Sequence, residues 1–331
     1  MANDNAVIMY EASQNAVDMA ELIDDGNHQN FKSFDDLWSN ADGAEAVVRP
    51  DGLITGATIT PSDTADQVAV AALTCYQAGI LQAVSANPAL AIARPTDDFI
   101  KYSIVINDSQ TIVALAGTES DTALSNDRGV AGGPPLIPVG QIEIGQVHIS
   151  NSASAVFTTS EIKQIAGSSQ ERFDFPTWEE KRINVEAGIL TEAGIEFNAP
   201  LPTIHTGNTT KSVYASYFEP EFAEIPESSD FVPPETTHST SSKQIYGKTL
   251  GSTSESLNQG SFTAYLKDGI SDAILSKKNQ TLFFKFKPDR LKTPYILTQG
   301  KFGVSRTFPA GDNITAACTV SATESAVEVT S

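Results

Sequence analysis

The chain has 331 residues and a formal net charge of −20, with 40% hydrophobic, 8% aromatic and 19% charged residues. That length allows one large domain or two to three smaller ones, and the acidic excess disfavours a conventional nucleic-acid binder, which needs Lys and Arg to displace counterions. No apolar run approaches the ~20 residues of a membrane span, and Met1-Ala2-Asn3-Asp4 does not open a positive n-region followed by an apolar run, so no secretory signal and no membrane partner are expected.

Charge is not spread evenly. Residues 241–331 hold 11 Lys+Arg against 7 Asp+Glu, a net of +4, which leaves −24 for the first 240. Two surfaces of opposite sign suit two different neighbours, as in a self-assembling part more than in a small-molecule enzyme.

In chain order, residues 1–45 read as a helical N-terminal arm. Ser13 can cap a stretch in which Ala16, Met19, Ala20 and Ile23 share a face, and Gly26 ends it. A second short helical pattern runs near Phe31, Phe34, Leu37 and Trp38. Residues 46–130 read as an added α/β region or an elaboration of a sandwich. Within them, 52–60 is strand-like and 63–86 reads as a helix that packs through Val68, Ala72, Cys75, Tyr76 and Ile80. Residues 100–106 and 111–115 alternate around Asn107-Asp108-Ser109-Gln110, a hairpin signal.

Residues 131–240 read as β-rich. Three glycines and three prolines in 129–138 cannot continue a helix or a central strand, so an ordered loop or interdomain crossing is expected. A strand follows over 141–150, where Gly145 should make a bulge that brings Val147 and Ile149 into step with Ile142 and Ile144. Residues 151–212 mix short strands with turns, and Trp178 sits beside Glu179 and Glu180. A long strand over 213–225 carries aromatics on both faces, and 226–242 reads as a linker or long loop.

The 241–331 unit reads strand, helix, strand, strand, strand: 262–266, a two-turn helix over 268–276, 282–287 and 295–306. A closing strand then alternates Ile314, Ala316, Cys318 and Val320. The expected fold is mainly β: an antiparallel β-sandwich or barrel with one packed helix, plus the added N-terminal α/β region.

Motifs for chemistry are weak. Cys75 and Cys318 have no Cys or His at metal-ligand spacing and read as buried small hydrophobes. Tyr246-Gly247-Lys248-Thr249 looks like the end of a phosphate-binding loop, but Ser242 stands where its first glycine belongs. His28, His148, His205 and His238 have no nucleophile motif beside them. Asp24-Asp25, Asp97-Asp98 and Glu179-Glu180 read as solvated faces rather than a glycosidase pair. Asn107, Asn208, Asn279 and Asn313 open glycosylation sequons that have meaning only in a secreted chain. No catalytic residue, cofactor or metal site is expected, and the chain does not read as an enzyme.

The C-terminal unit ends with Phe308-Pro309-Ala310-Gly311-Asp312-Asn313-Ile314-Thr315 before its last strand. Strand, helix from Asp268-Gly269, two long strands and this turn together resemble the end of the major tail tube proteins of long-tailed bacteriophages. Pro309, Gly311, Asp312, Ile314 and Thr315 carry the motif, over about the last 70 residues. The resemblance implies a virion structural protein of the tail, made in the host cytoplasm, whose β-sandwich forms hexameric rings. Rings would stack into a tube that conducts DNA without binding it specifically. Implied partners are sister subunits and other tail proteins, and an acidic lumen would let DNA slide. Expected subunit contacts are Lys285, Lys287 and Arg306 in the basic unit, pairing with acidic sister surfaces, and Tyr217 and Phe218 on the long strand. Ring stacking is expected from long hairpins and the N-terminal arm. A different virion component (capsid decoration, fibre or adhesion protein) is the alternative. A carbohydrate-active enzyme using dispersed carboxylates is a third reading.

Overall fold

A computed structural model describes residues 5–33, 37–41, 43–173, 176–183, 192–201 and 211–330. Strands β1 (Val7–Asp24), β2 (Asn30–Ser33) and β3 (Val47–Pro50) lead into an inserted body. That body comprises β4 (Gly52–Gly56), β5 (Ile59–Pro61), β6 (Gln67–Val70), β7 (Leu73–Gln77), β8 (Ile80–Val84), β9 (Asn87–Ala91), β10 (Ile100–Ile106), β11 (Ile112–Ala116), β12 (Ile142–Ile149) and β13 (Ile162–Lys163). The chain then returns through β14 (Trp178–Ile183), β15 (Glu192–Phe197), β16 (Val213–Glu224), β17 (Ser228–Val232), β18 (Thr236–Ile245) and β19 (Lys248–Leu257). It closes with β20 (Gly260–Leu266), β21 (Thr281–Lys287), β22 (Tyr295–Thr307), β23 (Ile314–Ser321) and β24 (Val327–Val329). The protein is mainly β, in several antiparallel sheets.

One 12-stranded sheet runs β14-β15-β2-β1-β21-β22-β23-β20-β17, with β16 joining β1 to β3 and β24 lying on β22. Its organiser is β1, an 18-residue strand. Val7 to Tyr10 pair with β21, Met9 to Leu22 pair with β16, and Ile23 and Asp24 pair with β2. The first strand therefore ties the middle of the chain to the basic C-terminal unit. Where the β1–β21 ladder stops, the buried Glu11 carboxylate takes over as acceptor. It receives the Phe283 N–H at 3.1 Å, the Gln14 amide at 3.2 Å and the Ser39 hydroxyl.

Two cores flank this strand. Below the C-terminal unit, Phe262, Phe284 and Phe302 bring their rings within 5.4–6.2 Å of one another, and Ala316, Cys318 and Val320 close the layer. Near β2 and β16, Trp38 stacks on Tyr217 at 4.6 Å and Phe31 meets Phe197 edge-on at 5.6 Å. Strand β22 serves three partners, β21 through 296–301, β23 through 301–307 and β24 through 295–297. Gly300 permits this crossing, because a Cβ there would lie 2.7 Å from the Ser321 carbonyl oxygen.

A third core, from Leu53 to Phe157, holds the inserted body together and crosses the expected boundary at residue 130. Its centre is the sheet β11-β10-β12-β13, joined by β4-β7-β8 and β5-β6-β9. The 107–110 hairpin forms as expected between β10 and β11. The Gly145 bulge forms too: Gly145 faces Ile104 while Glu143 faces Val105, so Ile144 is the extra residue. The 129–138 segment is an ordered loop.

Several expectations are corrected. Residues 7–24 are strand, not a helical arm. Bulges between Glu11 and Ser13 and between Val17 and Ala20 break strict alternation, so the apolar spacing imitates a helical period. Ser13 does not cap a helix; its hydroxyl donates to Glu221 across the sheet. Gly26, at φ +86°, turns β1 into β2 rather than ending a helix. Phe31 lies in β2 and Trp38 in the core, while Phe34 falls outside the described residues.

The 63–86 helix is replaced by β6, β7 and β8. Val68, Val70, Leu73 and Cys75 are buried along short strands, and Ala78 and Gly79, both at positive φ, form the turn between β7 and β8. The added region is therefore all β rather than α/β. The 226–242 linker is instead β17 and the first arm of the β18–β19 hairpin. The packed helix over 268–276 shrinks to a 3-10 turn, Ala273–Lys277. Asp268 and Asp272 compete for the backbone there: their carboxylates take the N–H groups of residues 267 to 271. Local side-chain acceptors of this kind displace helical bonds. Strand β24 follows the segment expected to close the chain.

Two outcomes follow. Glu11→Ala leaves the buried Phe283 N–H without its acceptor, and should cost about 1–3 kcal/mol in a denaturant titration. Asp51, at the junction of β3 and β4, is buried with Oδ2 unpartnered. Burial pushes its carboxyl up to about 7, despite N–H donors at Ala78 and Gly79 and the nearby Lys211. Between the ordinary carboxylate range and that value, the folded chain holds a proton that the unfolded chain has released. Asp51 therefore makes stability fall as pH rises through this window. Asp51→Asn should lose that component, so its melting temperature drops less than wild type between pH 5 and 8.

Candidate functional site

Among the described residues no group of three or more His, Cys, Asp or Glu could hold a metal ion. Cys75 and Cys318 are both buried free thiols, and burial pushes them up to about 11 and about 12, so neither is a thiolate near neutral pH. His28 contacts Asp24, His148 contacts Gln146, and His205 lies outside the described residues, as does Asn208.

The conspicuous surface feature is the β18–β19 hairpin. Its arms are 10 residues each, paired without a slip from Thr236–Leu257 to Ile245–Lys248. At the usual rise per residue the arm is roughly 30 Å long. Residues 237–249 and 251–256 are all exposed, so among the described residues nothing covers either face. At its base, Thr236 shares a hydroxyl bond with Ser325 and Asn258 N–H donates to Glu235. Gly247, at φ +73°, makes the tip turn, and Tyr246 beside it is wholly exposed. The Gly247-Lys248-Thr249 sequence is thus a hairpin tip with no helix after it, and the phosphate-loop likeness ends there.

The sequence of the arm explains why it holds a strand and why it is polar. Hydroxyl pairs cross the ladder on one face: Ser239–Ser254 at 2.6 Å, Ser241–Ser252 at 2.7 Å and Thr237–Ser256 at 3.1 Å. Such cross-strand pairs stabilise register. Without a third strand or an apolar face, a two-stranded hairpin is marginal in water. An arm of this length therefore suits contact with another molecule.

The five residues expected at subunit contacts do not form one cluster. Lys285 lies on β21 with its ammonium 3.8 Å from the Tyr295 ring centre and 5.5 Å from that of Phe222. Burial lowers its pKa, and Lys287 two residues on adds to this. Lys287 is half-buried on the same strand. Arg306, on β22, is exposed; its guanidinium donates to the Gly269 carbonyl and lies 5.9 Å from the Phe308 ring. Tyr217 is buried against Trp38, while Phe218, half-buried on the other face of β16, accepts the Ser39 N–H through its carbonyl. The 226–242 segment reads as a linker or long loop; the β-branched Thr236, Thr237 and Thr240 are the strand signal that the first half of the arm offers.

Comparison with protein-family models and with curated proteins finds no match.

Replacing 239–254 with a two-residue Asn-Gly turn should leave the melting temperature within a few degrees of wild type, because the arm adds nothing to the three cores. A cooperative loss of the whole fold would contradict that account.

Proposed function

We propose that this chain is a virion structural protein, a tail tube subunit that assembles into stacked hexameric rings conducting DNA. The observation that carries the reading is the β18–β19 arm. Its residues 237–249 and 251–256 project exposed from a β body, and among the described residues none packs against them. A marginal hairpin kept at this length is best explained by a second copy that receives it.

Other features support the same reading. The Pro309-to-Thr315 turn leads into β23, which sits between β22 and β20 in the large sheet. The net charge of −20 keeps a DNA polyanion from adhering to a wall built of this protein. Sister subunits and other tail proteins are the partners, DNA passes through without specific contacts, and the protein works in the virion tail. Catalysis plays no part in this role.

Negative-stain microscopy of the purified chain tests the proposal. Stacked hollow rings or tubes are expected, and the variant with 239–254 replaced should give single rings or dispersed chains. Monomers or trimers of the full-length chain would overturn it in favour of a decoration, fibre or adhesion protein.

A further inference from the structure

The inserted body contains a cationic cavity that the assembly role does not use. Cross-strand register sets Lys101 of β10 opposite His148 of β12, and places Gln146 between Ser103 of β10 and Lys163 of β13. These polar groups share one face of the sheet, opposite the apolar face of Ile100, Tyr102 and Ile104.

The glycine- and proline-rich loop builds the cover. Gly132 N–H donates to Thr118 at 2.8 Å, and Gly129 N–H donates to Pro134 at 2.9 Å. The loop closes so tightly that a Cβ on Gly133 would fall 1.9 Å from the Asp127 carbonyl oxygen. This fold drives Arg128 inward, to 9% exposure. The resulting cavity, about 490 Å³, is bounded by Lys101, Arg128, His148, Lys163 and the 165–169 turn.

Its charges do not balance. Arg128 pairs with the buried Glu143 carboxylate and donates to the Pro135 carbonyl at 2.9 Å. Glu143 also receives the Gln146 amide at 3.0 Å, which fixes that amide's orientation. Gln146 Oε1 then faces His148, whose Nε2–H donates to it at 2.9 Å. His148 stays neutral, its pKa lowered to about 4 by burial and then by Lys101 and Lys163. Lys101, only 3% exposed, donates to the neutral Asn126 side chain at 2.9 Å. Among the described residues no carboxylate lies within ion-pair distance of Lys101 or Lys163. Neither ammonium thus has a carboxylate partner, in a chain of net charge −20, and that of Lys101 is buried while Lys163 reaches the cavity from a half-buried position. A buried ammonium without a counter-ion is costly, and an oxyanion seated between the two groups would offset the cost at Lys101.

We infer that this cavity is a binding site for a small oxyanion, the phosphate or carboxylate group of a low-molecular-weight ligand. Its volume falls in the range of small-molecule sites, which favours a small ligand over a macromolecule.

Isothermal titration of the full chain at pH 7 and low salt, with sodium phosphate, sulfate and citrate as separate probes, tests this. At least one probe should bind saturably and one-to-one, and should shift the His148 ring resonances. A preference for phosphate or for citrate assigns the headgroup. Lys101→Met, which keeps the stem and removes the charge, should weaken binding at least about tenfold. Lys163→Gln, nearer the solvent, should weaken it several-fold, with the melting temperature of both variants recorded as a folding control. No saturable binding by any probe, or wild-type affinity in both folded variants, would overturn the inference. Either result leaves ring assembly unaffected.

Discussion

The rest of the structure depends on how β1 is held, and the Glu11 carboxylate is where that is decided. Strand β1 cannot pair fully with β16 on one side and β21 on the other, because its neighbours separate along its length. Where β21 leaves, Glu11 accepts the buried Phe283 N–H and also receives Ser39 and Gln14. A buried acceptor with three donors is stable where a lone buried charge is not. This arrangement locks the basic C-terminal unit onto the body of the chain, so the unit is not a free-standing module. The exposed residues of the arm, 237–249 and 251–256, take no part in the three cores, and the arm can project.

The charge pattern acquires a structural meaning from this frame. The positive side chains of the terminal unit are partly spent within their own chain: Lys285 against Tyr295 and Phe222, Arg306 on Gly269 and Phe308. In the proposed assembly, electrostatic register between copies would fall less on these groups than on the exposed arm, which carries Lys243 and Lys248 against Glu255. A second positive feature lies in the inserted body, where Lys101 and Lys163 line one cavity. An acidic chain thus keeps cations in defined places, some on the exposed arm and some at the cavity of the inserted body.

Much of the strand content was legible from alternation. The hairpin at 107–110, the Gly145 bulge, the long strand at 213 and the closing alternation from Ile314 to Val320 all follow from period-two patterns and turn residues. The failures share a physical cause. Bulges in β1 and short strands in 63–86 scatter apolar residues at spacings of three and four, which mimic a helix. At 268–276, aspartate side chains capture the N–H groups that a helix needs. The polar arm was missed because hydrophobic alternation is absent from a strand that buries nothing. The cavity was not legible either: Lys101, His148 and Lys163 are distant in sequence, and only strand register and the folded loop bring them together.

Hydrogen–deuterium exchange over residues 236–257 tests the central claim most directly, since it reads the backbone of the arm in dispersed and assembled protein. The account predicts rapid exchange in the dispersed chain, where a two-stranded hairpin opens readily, and strong protection once rings stack. Equal exchange in both states, or full protection in the dispersed chain, would contradict it.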